Sequence, residues 1–153
     1  MNIKADNTKE KTLATNRRAN HDFFILEKIE CGIVLKGTEV KSLRLGKANF
    51  QDSYAIIQSG EVWVLNLHIS HFENGNINNH DVLRERKLLL NNKEIFKLRK
   101  KNDESGITLI PLRIYLLNNR IKVELGICRG KKFYDKRESI EKREVERKIR
   151  KFF

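Results

Sequence analysis

The stretch GIVLKGTEVKSLRLGKANFQDSY, Gly32 to Tyr54, decides the architecture. It opens at the end of a strand, because Ile25, Ile29, Cys31, Ile33 and Leu35 occupy odd positions and can line one face. Gly37 breaks that alternation. Thr38 can cap a short helix, and Glu39 complements the positive end of its dipole. Val40 and Leu43 lie three apart and predict the buried side of the helix; Lys41 and Arg44 share another side. Gly46 permits the left-handed exit that ends it, and a strand is expected to resume over residues 50–57. Strand, helix and strand thus follow with almost no spare residues.

Downstream, Ser59-Gly60 is a two-residue hairpin signal. Pairing outward from it sets Ile57 against Val62 and Ala55 against Val64, with Ile56 against Trp63 and Tyr54 against Leu65 on the other face. Both faces are apolar, so the hairpin is expected to be covered on both sides, with Trp63 in the core and not a base-stacking platform. Residues 68–82 are irregular and rich in Asn and Gly, a loop by composition. Its His68, His71 and His80 with Asp81 match no standard zinc spacing, and no metal site is expected.

Asn91 or Asn92 can cap a helix running to about residue 104, with Ile95, Leu98 and Phe96 inward, and Ser105-Gly106 ends it. A last hairpin, residues 107–117 and 120–128, turns at Asn118-Asn119. Its register pairs Leu116 with Ile121, Ile114 with Val123 and Leu112 with Leu125 inside. Outside it pairs Tyr115 with Lys122 and Arg113 with Glu124. A tyrosine beside a lysine on an exposed sheet can grip a phosphate and stack a base. Pro111 marks its strand as an edge or bulged there. The pattern is mainly β with α: a small antiparallel barrel with accessory helices.

Charge is the loudest global feature. The 153 residues carry 32 basic and 20 acidic side chains, a net charge of +12. Self-repulsion on that scale points to a polyanionic partner. Half of the excess, +6, falls in residues 129–153, which hold eleven Lys/Arg and five Asp/Glu. This divides the chain into a flexible basic N-terminus over 1–15, a barrel over 16–128 and a basic tail over 129–153 with Gly130 as its hinge. In the tail, Val145, Ile149, Phe152 and Phe153 make a narrow apolar stripe with charged pairs around it. An isolated helix of this length is marginal in water, so the tail is expected to be disordered alone and helical on a polyanionic surface.

Two cysteines, Cys31 and Cys128, sit in apolar strand patterns 97 positions apart and are expected to be free buried thiols. No signal peptide and no membrane-spanning apolar run is evident, so the reducing cytoplasm is the expected compartment. Phosphate-binding GxxxxGK[ST], nucleophile elbow and paired-carboxylate motifs are all missing, so an enzyme is not expected and no cofactor is implied. Glu30 faces outward with Lys28. In a basic RNA-binding face it would be unwelcome unless it accepts a base N–H or a 2′-OH; otherwise it is a solvated strand glutamate.

The segment GIVLKGTEVKSLRLGKAN followed by DSY resembles the signature of the SsrA-binding protein family, small protein B. NRRANHDFF near the start, RKLLLN at residues 86–91, KVELGICRGKK at 122–132 and YDKRE at 134–138 extend the resemblance over nearly the whole chain. It implies an oligonucleotide/oligosaccharide-binding (OB) barrel with three helices, and an adaptor role in bacterial ribosome rescue by trans-translation. The implied partners are the tRNA-like domain of transfer-messenger RNA and the ribosome, whose messenger channel and decoding centre the tail enters.

Carried onto matching positions, the resemblance assigns His21, Glu30, Leu89 and Lys122 to the RNA-binding surface, with Arg17, Arg18, Lys41 and Arg44 as phosphate contacts. Gly130, Lys131, Lys132, Tyr134, Asp135, Lys136 and Arg137 match the tail motif for the decoding site, and Ile149 and Phe152 are anchors of the induced helix. The rival reading is a general single-strand RNA-binding or ribosome-associated protein of the same barrel class. Where the family often has proline, this chain has His71, Val82 and Glu85, which leaves the path of residues 68–82 open.

Overall fold

The computed structural model describes residues 9–132, 143–145 and 147. In chain order the elements are β1 (Glu10–Thr15), α1 (Ala19–Asp22), β2 (Phe23–Ile33), α2 (Gly37–Arg44), β3 (Ala48–Asn49), β4 (Tyr54–Gln58) and β5 (Glu61–Leu65). They continue with β6 (His68–Ile69), a 3-10 helix (Glu73–Asn78), β7 (Arg86–Leu89), α3 (Asn92–Asn102), β8 (Ile107–Leu117) and β9 (Arg120–Gly130). The large sheet runs β1-β8-β4-β5-β7-β2-β9, and β9 pairs back onto β8. That last pairing closes an antiparallel barrel of OB type, which leaves β1 as an extra strand alongside β8.

Both hairpins keep the register their turns dictate. Ser59 and Gly60 adopt φ of 53° and 76°, and Ile57↔Val62, Ile56↔Trp63 and Tyr54↔Leu65 are partners. Asn118 and Asn119 adopt 50° and 66°, and Ile114↔Val123 and Tyr115↔Lys122 are partners. Asn91 caps α3: its side chain accepts from the Glu94 amide at 2.8 Å, and the Glu94 carboxylate accepts from the Asn91 amide at 3.1 Å. The barrel interior is apolar, with Leu43, Val62, Val64, Leu88, Leu98, Ile114, Val123 and Leu125 all in one buried cluster. Cys31 and Cys128 are free and fully buried, and burial pushes their thiols up to about 12 and about 11.

Bulges place the first departure from expectation. Register shifts at Leu26 in β2 and Leu112 in β8 flank β9 on both sides, so Leu125 pairs with Pro111 and not with Leu112. A one-residue slip reverses the faces of a strand. Ile25 therefore leaves the row of Ile29, Cys31 and Ile33, and packs outside the barrel with Phe23, Ile110, Leu112 and Cys128 beneath Ala19 of α1. Gly126 lies between the bulges. A Cβ there would come within 2.9 Å of Leu112 Cδ1 and of Cys128 Sγ, so only glycine lets this second apolar cluster close over β9.

Other expectations also need correction. Residues 10–15 are not a mobile terminus: β1 pairs with β8 from Glu10↔Leu117 to Thr15↔Arg113, and Leu13 and Ala14 pack on the core. Residues 50–53 turn, with Asp52 at φ 61°, before β4 begins. Phe96 is 60% exposed. Gly130 is no hinge, because it pairs with Phe23 as the last residue of β9, and the Lys131 amide donates to the Asp22 carbonyl at 2.9 Å. The barrel thus reaches past residue 128.

Thr38 does not cap α2. Lys36 is the capping residue, and its amide donates to Glu39 Oε1 at 2.8 Å. Glu39 is fully buried with Ser42 and Leu43, while Val40 is only partly covered. Arg86, also fully buried, donates its Nε–H to the Glu39 carboxylate, and Arg84 donates to the other oxygen. Arg86 further reaches the carbonyls of Leu67, Asp81 and Val82. Burial alone would raise the Glu39 carboxyl. Hydrogen bonds from Arg84, the Lys36 amide and Arg86, with the charge of Arg86, outweigh it and hold the group below its usual range.

The same cluster gives residues 68–82 their path. His80, 2% exposed, donates Nε2–H to the Ile69 carbonyl at 2.8 Å, and its Nδ1 lies 2.8 Å from Thr38 Oγ1. Asn79 brackets Phe72, donating to its carbonyl and accepting from its amide at 2.8 Å each. The His80 ring thus serves hydrogen bonding, and among the described residues no group of three or more His, Cys, Asp or Glu converges as a metal site.

Candidate nucleic-acid interface

Three of the expected RNA-binding residues meet on the outer face of the barrel. In β2, Gly32 has Leu89 of β7 as partner on one side and Lys122 of β9 on the other. Leu89 is 49% exposed and rests against Gly32, where an added Cβ would lie 3.1 Å from the Leu89 Cβ. Glu30 stands two residues from Gly32 on the same face, opposite Glu124. The row is cation, bare backbone, apolar side chain, with a carboxylate beside it. Such a surface can take a phosphate at Lys122, a ribose or base edge on Leu89 and a donor at Glu30.

Tyr115 sets the aim of Glu30. Sequence reading puts it outside as a stacking platform, yet it is 3% exposed. Thr12 of β1 is its strand partner, and the Arg113 guanidinium lies 4.0 Å from the ring centroid. The phenol hydroxyl donates to Glu30 Oε1. Burial first, then the hydrogen bond and charge of Glu30, push the Tyr115 hydroxyl well above its ordinary value, so it stays a donor. Glu30 is therefore oriented by a neutral group and keeps most of its acceptor sites. The unexpected strand β1 explains the error: it borders β8 and flanks Tyr115, where the sequence reading has an exposed sheet, while Pro111 does stand beside a bulge.

Neighbouring acids on this face are occupied by cations. Glu124 accepts from Arg113 Nε at 3.2 Å and lies 3.8 Å from Lys28 Nζ, while Glu10 lies 2.6 Å from Arg113. Lys122 forms no ion pair among the described residues. Unpaired cation and oriented carboxylate thus stand side by side.

The remaining expected residues form two other groups. Arg17 and Arg18 lie exposed between β1 and α1, along a cleft of about 910 Å³ whose opposite wall is residues 48–54. Arg18 reaches Asp22 at 3.7 Å, and His21 donates Nδ1–H to the Asp22 carboxylate at 2.8 Å. Gly130 and Lys131 adjoin this group, since Lys131 Nζ donates to the Asn20 carbonyl at 2.8 Å. Lys132 follows directly. Phe23 and Gly32 bound nine residue steps of β2, about 30 Å of strand, so this group and the Glu30 group lie at opposite ends of one strand. Lys41 and Arg44 project from α2, with Lys41 Nζ 5.4 Å from the Phe72 ring centroid. Tyr134, Asp135, Lys136, Arg137, Ile149 and Phe152 lie outside the described residues.

Comparison with known proteins shows the family of the chain. A family model described as SmpB protein matches residues 13–153. The SsrA-binding protein of Desulforudis audaxviator (strain MP104C) is 57% identical over 140 residues, 92% of this chain and 92% of the relative. That of Carboxydothermus hydrogenoformans is 54% identical over 142 residues, 93% of this chain and 95% of the relative. A solved structure described as "tmRNA-SmpB: a journey to the center of the bacterial ribosome" superposes with a TM-score of 0.68 at 50% identity, covering 78% of this chain and 84% of that one. With the family model spanning all but the first twelve residues, and more than half of the residues shared with relatives matched nearly end to end, this chain belongs to the SmpB protein family.

Proposed function

We propose that this protein is an RNA-binding adaptor, not an enzyme: its barrel binds the tRNA-like domain of transfer-messenger RNA, and the complex is delivered to stalled ribosomes for rescue by trans-translation. Membership of a family whose relatives are SsrA-binding proteins supports this, and the Leu89–Gly32–Lys122 row beside an oriented Glu30 is the observation that carries it. Glu30 accepts a base N–H or 2′-OH, Leu89 packs on a sugar or base, and Lys122 neutralises a phosphate. His21 belongs to the same RNA-binding surface, and Arg17, Arg18, Lys41 and Arg44 add phosphate contacts, which position the RNA without reading its sequence.

The basic tail beyond Lys132 is the part that enters the empty messenger channel, with Tyr134, Asp135, Lys136 and Arg137 at the decoding centre and Ile149 and Phe152 anchoring an induced helix. The site of action is the cytoplasm. Among the described residues, no helix is long and apolar enough to cross a membrane.

Isolation of the RNA that copurifies with the protein from cells tests the reading. One tRNA-mimicking species should dominate; a random mixture would overturn the proposal. Truncation after Lys132 should leave binding to the tRNA-like domain intact and abolish rescue of stalled ribosomes.

A further inference from the structure

Beyond Leu89 the outer face continues onto strands to which no role has been assigned. Trp63 of β5 is flanked by Ile56 of β4 and Lys87 of β7, and the Val34 amide donates to the Lys87 carbonyl at 3.0 Å. Arg86 and Leu88, the neighbours of Lys87, are buried inside, so Lys87 and Leu89 share the outer side. Val34, Lys87, Trp63 and Ile56 thus form a row next to the one that holds Leu89. Trp63 and Leu89 are diagonal cross-strand neighbours, a separation of about 7–8 Å that large side chains bridge.

Trp63 is not the core residue its apolar surroundings suggest. It is half-buried and absent from the buried cluster that contains its strand neighbours Val62 and Val64. Among the described residues its indole makes no hydrogen bond or ring contact. In the same row beyond Lys87, Val34 is 44% exposed, and Tyr54, diagonal to Trp63 across β4, is 36% exposed. Lys87 Nζ lies 3.5 Å from Glu61, a pair exposed enough for a phosphate to compete for the lysine.

We propose that the outer face of β4, β5 and β7 extends the RNA surface, with Trp63 stacking an unpaired base of the partner RNA and Lys87 taking the adjoining phosphate. This rests on the RNA-binding reading of the Glu30–Leu89–Lys122 face. Three features select RNA as the occupant: the rows are continuous with that face, each row carries a cation (Lys87 beside Trp63, Lys122 beside Gly32), and an indole face stacks any base. The base must be unpaired, because a duplex keeps its π-faces covered.

Trp63 is the only tryptophan in the chain, so its emission reports on this face alone. The full-length protein is titrated with the tRNA-like domain of transfer-messenger RNA, with intrinsic fluorescence and filter binding followed together. The expected result is saturable quenching at the filter-binding midpoint, with reduced access for acrylamide. Trp63→Ala should weaken binding about 5- to 150-fold, and Trp63→Phe, which keeps a ring, by much less. Filter retention with unchanged emission and unchanged acrylamide access would overturn the proposal and leave the RNA-binding reading standing. No retention of the RNA would overturn both. Emission that shifts with protein concentration in the absence of RNA would assign the face to a second copy of the chain instead, and the proposal would fall.

Discussion

Glu30 and Glu39 lie nine residues apart in a basic protein and are held in opposite ways. Glu39 is fully buried, and both its oxygens are taken by guanidinium groups, from Arg84 and Arg86. Glu30 is exposed and is held through one oxygen by an uncharged phenol. On the proposed function, the difference separates structure from recognition. A carboxylate neutralised in the interior ties α2 to β7 and to residues 68–82, whereas one aimed by a hydroxyl is left open to a donor arriving from outside.

Removing Arg86 gives the largest expected effect. Arg86→Ala leaves Glu39 buried with only part of its compensation and should cost about 3–5 kcal/mol of stability. Urea denaturation measures it; a loss under about 1 kcal/mol would show that the cluster is not what secures α2. Next comes Glu30→Ala, expected to remove about 1–3 kcal/mol of RNA affinity while the urea midpoint stays put. A large stability loss there would erase the contrast.

Tyr115→Phe sharpens the comparison. It deletes one hydroxyl and should cost about 0.5–1.5 kcal/mol of RNA affinity. In a Glu30→Ala background the same change should cost nothing further, because its role passes through Glu30. Equal losses in both backgrounds would mean that Tyr115 contributes to binding by another route.

The smallest effect is confined to acid. The folded-state pKa of Glu39 is depressed below its ordinary 4.5, so its contribution is complete above that value and lost as pH falls through the lower folded value. Stability should decline below about pH 4.5, and Glu39→Gln should make that decline shallower. Chemical denaturation at stepped pH reads the slope, and equal slopes would remove Glu39 from the acid response.

The two hairpin registers were legible near their turns because the turn residues leave little choice: Ser59-Gly60 and Asn118-Asn119 take positive φ, and the pairs follow by counting as far as the bulge at Leu112. The Asn91 cap was legible for the same local reason. The bulges at Leu26 and Leu112 were not, since nothing about a leucine in an apolar run says that it is the extra residue; Pro111 alone hinted at one of them. Glu39 stands at the start of α2 and accepts from the Lys36 amide, as its position predicts. Its burial and its Arg84 and Arg86 partners were not legible, because they lie 45 and 47 residues away and a glutamate near a helix start already has a local explanation. Tyr115 was misread because Leu13 and Ala14 are too few to announce β1. At the interface, motif resemblance supplied Glu30, Leu89 and Lys122; only the fold shows that Gly32 joins the last two and that Tyr115 steers the first.

Pairing of Gly130 with Phe23, and the bond from the Lys131 amide to Asp22, have a consequence for distance. Residues 133–153 set out from a fixed origin beside the first helix, not from a swivel. Chain geometry limits their span to about 70 Å. Adding or deleting residues beyond 132 would therefore alter how far this arm can stretch, while the spot from which it sets out would stay anchored to the barrel.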